Sequence, residues 1–166
     1  MITSAEKPGW RFVLSHPVHF LSFGFGSGLF PFGPGTAGTL AAFPVYFFLH
    51  HWFGQTDWIF LIFIAQLFLL GIWLCGKTGT ALGVPDHSGI VFDEIVAFML
   101  VLFFTPQGFF WQAVAFMLFR FFDILKPPPI AYYDRVLHGG FGVMFDDLLA
   151  AFYALICLAL LKSVLG

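Results

Sequence analysis

The sequence predicts an all-α, polytopic membrane bundle of about four to five apolar helices, with a charged site gathered on its cytoplasmic face. Three observations predict it. Hydrophobic residues make up 60% of the 166 residues and only 10% are charged, against about 25% charged in an ordinary soluble domain. The mean hydropathy is +0.92. The charges that do occur cluster, with 11 of the 16 formally charged residues lying between positions 77 and 147. Nothing along the chain resembles a linker or a second composition regime, so residues 1–166 are expected to form a single membrane domain.

The apolar segments follow in order. "TAGTLAAFPVYFFLHHWF" (36–53) and "WIFLIFIAQLFLLGIWLCG" (58–76) are separated only by "GQTD", short enough to force an antiparallel hairpin. Pro44 is expected to kink the first. Residues 88–104 and 109–122 form a second pair across "TPQG", and both are short for full spans. Residues 148–165 have the length and composition of a full one. "HPVHFLSFGFGSGLFPF" (16–32) is aromatic and Gly-rich, and reads as an interfacial or re-entrant piece. The first 20 residues lack an h-region followed by a small-residue cleavage site, so no signal peptide is expected.

Charge sets orientation and excludes some functions. Lys7, Arg11, Lys77, Arg120, Lys126 and Arg135, six of the seven basic residues, fall at one end of the alternating helices, which makes that end cytoplasmic by the positive-inside rule. Lys162 is the exception. A net charge of −2 without a basic stripe argues against a nucleic-acid partner. Cys75 and Cys157 match no metal or redox spacing.

The acids point to chemistry. An ionised side chain within a membrane helix costs roughly 2.5 to 3.5 kcal/mol, so such acids usually face a partner, an ion or water. Asp93 and Glu94 sit at the mouth of one apolar run, and Asp146 and Asp147 repeat the arrangement at the mouth of another. A plain helix cap is the alternative reading for one member of each pair. Two pairs on one face suit a hard divalent cation such as magnesium, which takes a few carboxylates with water and phosphate.

In "RFFDILKPPP", Arg120, Asp123 and Lys126 are spaced i, i+3, i+6. They form either a mutual salt-bridge ladder or a site in which Asp123 joins the metal shell and the two cations grip a phosphate. "FGPGTAGTLAAF" has GxGxxG spacing, but no strand precedes it and Pro34 removes an amide, so dinucleotide binding is rejected. The stretch remains a Gly-rich helix entry with Thr36 and Thr39 nearby, suited either to an anion or to close packing through small residues.

Among the histidines, His16, His19, His50 and His51 read as interfacial, and His87 and His138 lie with the charges as candidate acids or bases. Asp134 and Arg135 most simply pair locally or meet lipid headgroups.

The ordered blocks "GFGSGLFPFGPGTAGTL", "DHSGIVFDE", "FRFFDILKPPPIAYYDR" and "HGGFGVMFDDLLA" resemble those of bacterial phosphatidylglycerophosphatase A, over roughly residues 20–155. The resemblance implies a magnesium-dependent lipid phosphatase of the bacterial inner membrane. Such an enzyme hydrolyses the phosphate monoester of phosphatidylglycerophosphate to phosphatidylglycerol and phosphate, in phospholipid biosynthesis. Motif membership covers Gly35, Thr36, Gly38, Asp86, His87, Asp93, Glu94, Arg120, Asp123, Lys126, Pro127, Asp134, Arg135, His138, Asp146 and Asp147.

The resulting expectations are Asp86, His87, Arg120 and Lys126 as catalytic residues. Gly35, Thr36, Gly38, Thr39, Arg120, Lys126 and Arg135 are expected on the substrate phosphate, and Asp93, Glu94, Asp123, Asp146 and Asp147 on Mg2+. The expected partners are the lipid substrate and the bilayer. A small ion or proton transporter, or a non-catalytic membrane subunit, is the alternative. A transporter would place its acids near mid-bilayer on several helices rather than at one end.

Overall fold

A computed structural model describes residues 8–54 and 56–165. Two short helices, α1 (Trp10–Val13) and α2 (Pro17–Ser22), lead into a 3-10 segment, Gly24–Leu29. The longer elements are α3 (Pro34–Phe53), α4 (Asp57–Leu82), α5 (Phe92–Phe104), α6 (Phe109–Leu125) and α8 (Gly139–Leu165), with a short α7 (Ile130–Val136) before the last. No strand occurs among the described residues. The predicted all-α bundle is therefore present, with five apolar helices of 13 residues or more.

Local chemistry explains several boundaries. α3 starts with Pro34 behind a left-handed Gly33 at φ 78°, since proline suits the first helical position. It continues through Pro44 to Phe53. α4 closes on Gly83 at φ 71°, whose N–H reaches back to the carbonyls of Gly79 and Thr80, a left-handed C-terminal cap. α6 stops at Lys126, also left-handed at φ 42°, and the prolines behind it cannot continue a helix.

Two helices among the described residues, α4 and α8, are long and apolar enough to cross a membrane. Both exceed the sequence expectation. α4 carries on to Leu82 rather than ending near 76, and α8 begins at Gly139 rather than 148. The early start of α8 follows from its glycines. A Cβ on Gly140 would overlap the backbone carbonyl of Ile72 in α4, so the helices cross at backbone distance, the usual role of small residues between apolar helices.

α5 is the reverse case. Residues 88–91 belong to a loop, which leaves a 13-residue helix about 20 Å long, short of the hydrocarbon thickness of about 30 Å. Most of it is covered by protein. α3, α4, α6 and α8 all pack on it, and nine of its thirteen residues are buried. Fully buried Phe98 locks it in place, with ring centroids 5.3 Å from Phe43 of α3 and 6.0 and 5.4 Å from Phe116 and Phe119 of α6. Edge-to-face and tilted contacts of this kind add to the area buried.

The stretch expected to be re-entrant forms α2 and the 3-10 segment, tied down by a buried polar chain. His19 Nδ1 lies 3.0 Å from Thr78 Oγ1, which donates to Ser22 Oγ at 2.9 Å. The carbonyl of Ser22 accepts from Val91 N–H at 2.9 Å. α2, α4 and the entry to α5 are thus joined where the last of these begins. Burial, with His16 and Lys77 close by, holds the His19 pKa below its ordinary value. The neutral ring is the form that suits this network.

Because short turns join the hairpins, the starts of α3, α5 and α8 and the ends of α4 and α6 share one end of the bundle. That end carries the charges.

Candidate active site

A cavity of about 260 Å³ lies at the charged end. It is lined by Gly33, Pro34 and Gly35 of the α3 entry, and by Asp86, Ser88 and Ile90 of the loop after α4. Asp93 and Glu94 of α5, Arg120, Asp123 and Lys126 at the end of α6, and Asp146 and Asp147 of α8 complete it. Four stretches separate in sequence, 33–35, 86–94, 120–126 and 146–147, therefore converge.

The two acid pairs enter differently. Asp93 and Glu94 occupy the second and third positions of α5, where the helix N-terminus offsets part of the cost of negative charge. Asp146 and Asp147 do not stand at a helix mouth as the sequence suggests. They lie seven and eight residues beyond Gly139, about two turns into α8. Adjacent residues on a helix diverge by about 100°, so each pair sends its members to different neighbours.

Asp93, Glu94 and Asp147 form one group, each offering a carboxylate oxygen, with all three oxygens within 4.8 Å of one another. Asp123 and Asp146 face the same cavity but are paired with cations. Arg120 pairs with Asp123 one turn away, and its Nη1 lies 3.3 Å from Glu94 Oε1. Lys126 Nζ lies 2.6 Å from Asp134 Oδ1 and also bonds Asp146. Burial alone would lower the Lys126 pKa, but Asp146 and Asp134 hold the ammonium well above the ordinary lysine value.

The charges do not balance. Six carboxylates line the cavity against two cations. Asp93 Oδ1, Glu94 Oε2, Asp146 Oδ1 and Asp147 Oδ2 are buried without a hydrogen-bond partner. Buried polar atoms are ordinarily satisfied, and a buried carboxylate without compensation is costly. Hard oxygen donors at this spacing are the donor set a divalent cation such as magnesium takes, so these residues fit a metal.

The remaining expected residues are distributed as follows. Gly35 sits against the charged groups: a Cβ there would overlap Glu94 Oε1 and stand 3.0 Å from Arg120 Nη2. Gly38 packs beneath Val91, 3.3 Å from Glu94 Oε2 by the same measure. Thr36, Gly38, Thr39, His87 and Arg135 do not line the cavity. Arg135 is exposed on α7.

Asp86 stands at the rim and also lines a smaller recess of about 100 Å³ with Asp134 and His138. His87 turns its Nδ1 to accept from Gly89 N–H at 3.0 Å, with its ring 6.2 Å from that of Phe23. Burial lowers the His87 pKa, against the opposing charge of Asp86.

Thr78 and Ser22, both fully buried, support the entry to α5 and were not singled out from the sequence. Their link spans 56 residues, and no local pattern signals it.

Comparison with known proteins identifies the family. The profile of the phosphatidylglycerophosphatase A family matches residues 20–162. Phosphatidylglycerophosphatase A of Haemophilus influenzae is 51% identical over 152 residues, covering 91% of this chain and 92% of that protein. The Escherichia coli protein of the same name is 39% identical over 142 residues, covering 84% and 80%. A Bacteroides thetaiotaomicron protein, provisionally named a phosphatidylinositol-3-phosphatase, is 37% identical over 148 residues, covering 86% and 92%. No solved structure gives a significant match. The matched family covers every segment that contributes to the cavity, and the chain belongs to the phosphatidylglycerophosphatase A family and is a phosphatase.

Proposed function

We propose that the chain hydrolyses the phosphate monoester of phosphatidylglycerophosphate to phosphatidylglycerol and inorganic phosphate, with Mg2+, at the cytoplasmic face of a bacterial inner membrane. The observation that carries the reading is the convergence of Asp93, Glu94 and Asp147, with unpartnered buried oxygens, opposite Arg120 and Lys126.

A phosphate monoester dianion needs its charge neutralised and a water set in line, with little covalent work by the protein. Asp93, Glu94 and Asp147 would hold the ion, with Asp123 and Asp146 around them. When bound, it supplies Lewis-acid charge for the phosphate oxygens.

The chain's own residues account for the rest. Arg120 and Lys126 clamp the phosphate, Arg120 through its fork and Lys126 as a point charge. Gly35 leaves room at the α3 entry for the phosphate to approach Arg120. Arg135, exposed outside the cavity, would meet the lipid headgroup.

The water oxygen attacks phosphorus opposite the glycerol oxygen. The bond from phosphorus to that oxygen then breaks, with its electron pair leaving on the glycerol. Asp86 at the rim accepts the water proton, and the departing oxygen, on the far side of phosphorus, takes its proton from solvent. His87 supports this step by fixing the 86–90 loop through Gly89.

The test is phosphate release from phosphatidylglycerophosphate in detergent micelles, with and without magnesium, beside an Asp93→Asn variant checked for membrane insertion and folding. Magnesium-dependent release that the variant loses is expected. Equal release without divalent cation, or full activity in Asp93→Asn, would sink the reading.

A further inference from the structure

Thr39 is a buried hydroxyl beside the site that does not reach it. It has no exposed surface, and its Oγ1 donates to the carbonyl of Gly35 at 2.9 Å, the back-bond a helical threonine readily makes to the residue four before it. The same oxygen accepts from Arg120 Nη1 at 3.4 Å. The contact spans 81 residues and joins the first turns of α3 to the end of α6.

It matters because of where the other contacts of Arg120 fall. Nη1 is the nitrogen that meets Thr39, Glu94 Oε1 and Asp123. Nε is buried with no partner at all. One corner of the guanidinium is thus committed to protein, while its side edge is left to a further acceptor. A planar guanidinium offers two parallel donors along that edge, the geometry that suits a phosphate.

We propose that Thr39 is a positioning residue: it holds Arg120 Nη1 from the α3 side, so that the Nε edge of the guanidinium is presented to the substrate phosphate. The inference rests on the reading of the cavity as a phosphatase site with Arg120 on the phosphate. Glu94 and Asp123 restrain the same nitrogen by charge. Thr39 restrains it by a neutral hydroxyl that is itself oriented by the helix backbone. Removing the hydroxyl leaves the charges in place and frees the plane of the guanidinium to turn.

The experiment compares Thr39→Val, which keeps size and β-branching, with Thr39→Ser, which keeps the hydroxyl. It measures three quantities in detergent: kcat/KM for phosphatidylglycerophosphate, the inhibition constant of inorganic phosphate, and the magnesium concentration for half-maximal rate. Thr39→Val is expected to lower kcat/KM and weaken phosphate inhibition by about tenfold each, the scale of one hydrogen bond to a charged group. The magnesium requirement should stay unchanged, and Thr39→Ser should remain close to the starting protein.

Unchanged phosphate inhibition in Thr39→Val, or equal impairment in the valine and serine variants, would overturn the inference while leaving the proposed activity intact. If Thr39→Val does not fold, Thr39→Ala carries the same expectation. Absence of any phosphate release from the unaltered protein would remove the proposed function and the inference with it.

Discussion

The two acid pairs invite comparison, because they look alike in the sequence and differ in the fold. Asp93 and Glu94 stand in the first turn of a short, mostly buried helix. Asp146 and Asp147 stand about two turns into a 27-residue helix. Each pair nevertheless divides in the same way. Asp93 and Asp147 are buried acids with no cation at hand, whereas Glu94 gives one oxygen to Arg120 and Asp146 gives one to Lys126. An acid pair on a helix can thus serve two roles: one carboxylate left bare for an ion, and its neighbour orienting a cation, which Glu94 does with one oxygen while its second stays unpartnered beside Asp93 and Asp147.

If that division is right, the bare members carry the larger effects. Asp147→Asn is expected to reduce phosphate release more than the about 10–100-fold typical of outer-shell partners of a metal. Bound magnesium, measured by calorimetry, should fall in parallel. Activity within a few-fold of the starting protein would remove Asp147 from the ion's shell and break the comparison.

The next effect sharpens it from the side of the glycine. Gly35→Ala drives a Cβ into Glu94 Oε1 and the Arg120 guanidinium, and should lower kcat/KM by about 10- to 100-fold, the cost of misplacing groups at a reacting centre. An alanine enzyme with unchanged kinetics would mean that Glu94 and Arg120 are free to shift.

The cation-paired members should be separable from the bare ones. Asp146→Asn removes a charge from Lys126 but leaves Asp134 at 2.6 Å. Its expected loss, about tenfold in kcat/KM, is that of a charge-assisted hydrogen bond, with magnesium binding retained. A loss as large as that of Asp147→Asn, with magnesium binding gone, would place Asp146 among the ion's ligands.

The smallest effect concerns the loop that leads into α5. The pKa of His87 is lowered by burial from an ordinary value of 6.5, so the folded protein binds that proton less readily than the unfolded chain. Its contribution is therefore favourable above pH 6.5 and is lost as pH falls through that value toward the folded pKa. The part of the pH profile of the melting temperature in detergent that His87 contributes should fall between about pH 7.5 and about pH 5.5, and His87→Gln should remove that part of the slope. A slope unaltered by the substitution would show that the ring does not titrate on unfolding.

The charged end and the hairpins were legible in the sequence because both follow from spacing and composition. "GQTD" and "TPQG" left no room for anything but tight turns, and the acids between residues 77 and 147 had to gather where alternating helices return. The start of α8 was not legible. "HGGFGVMF" has the glycine content of a loop, and only the crossing with Ile72 and Gly76 of α4 makes those glycines helical. Residues 88–91 failed in the opposite direction, since an apolar run cannot reveal on its own where hydrogen bonding to Ser22 replaces the first helical turn.

Within the site, residue types were readable and contacts were not. Thr39 and Gly38 lie about one helical turn from the cavity wall, and what each meets is set by a distant segment, Arg120 of α6 for Thr39 and Val91 before α5 for Gly38.

Lys126 brings a further consequence. Its left-handed backbone, φ 42°, is one that glycine adopts freely and a residue with a Cβ does not. A sequence selected only for an easy end to α6 would place glycine there. The ammonium reaches Asp134 on α7 and Asp146 on α8 from that one position, so this family member trades local comfort for reach. Efforts to make the protein more robust by consensus-like repair of turns would gain backbone ease at this residue and disarm the site.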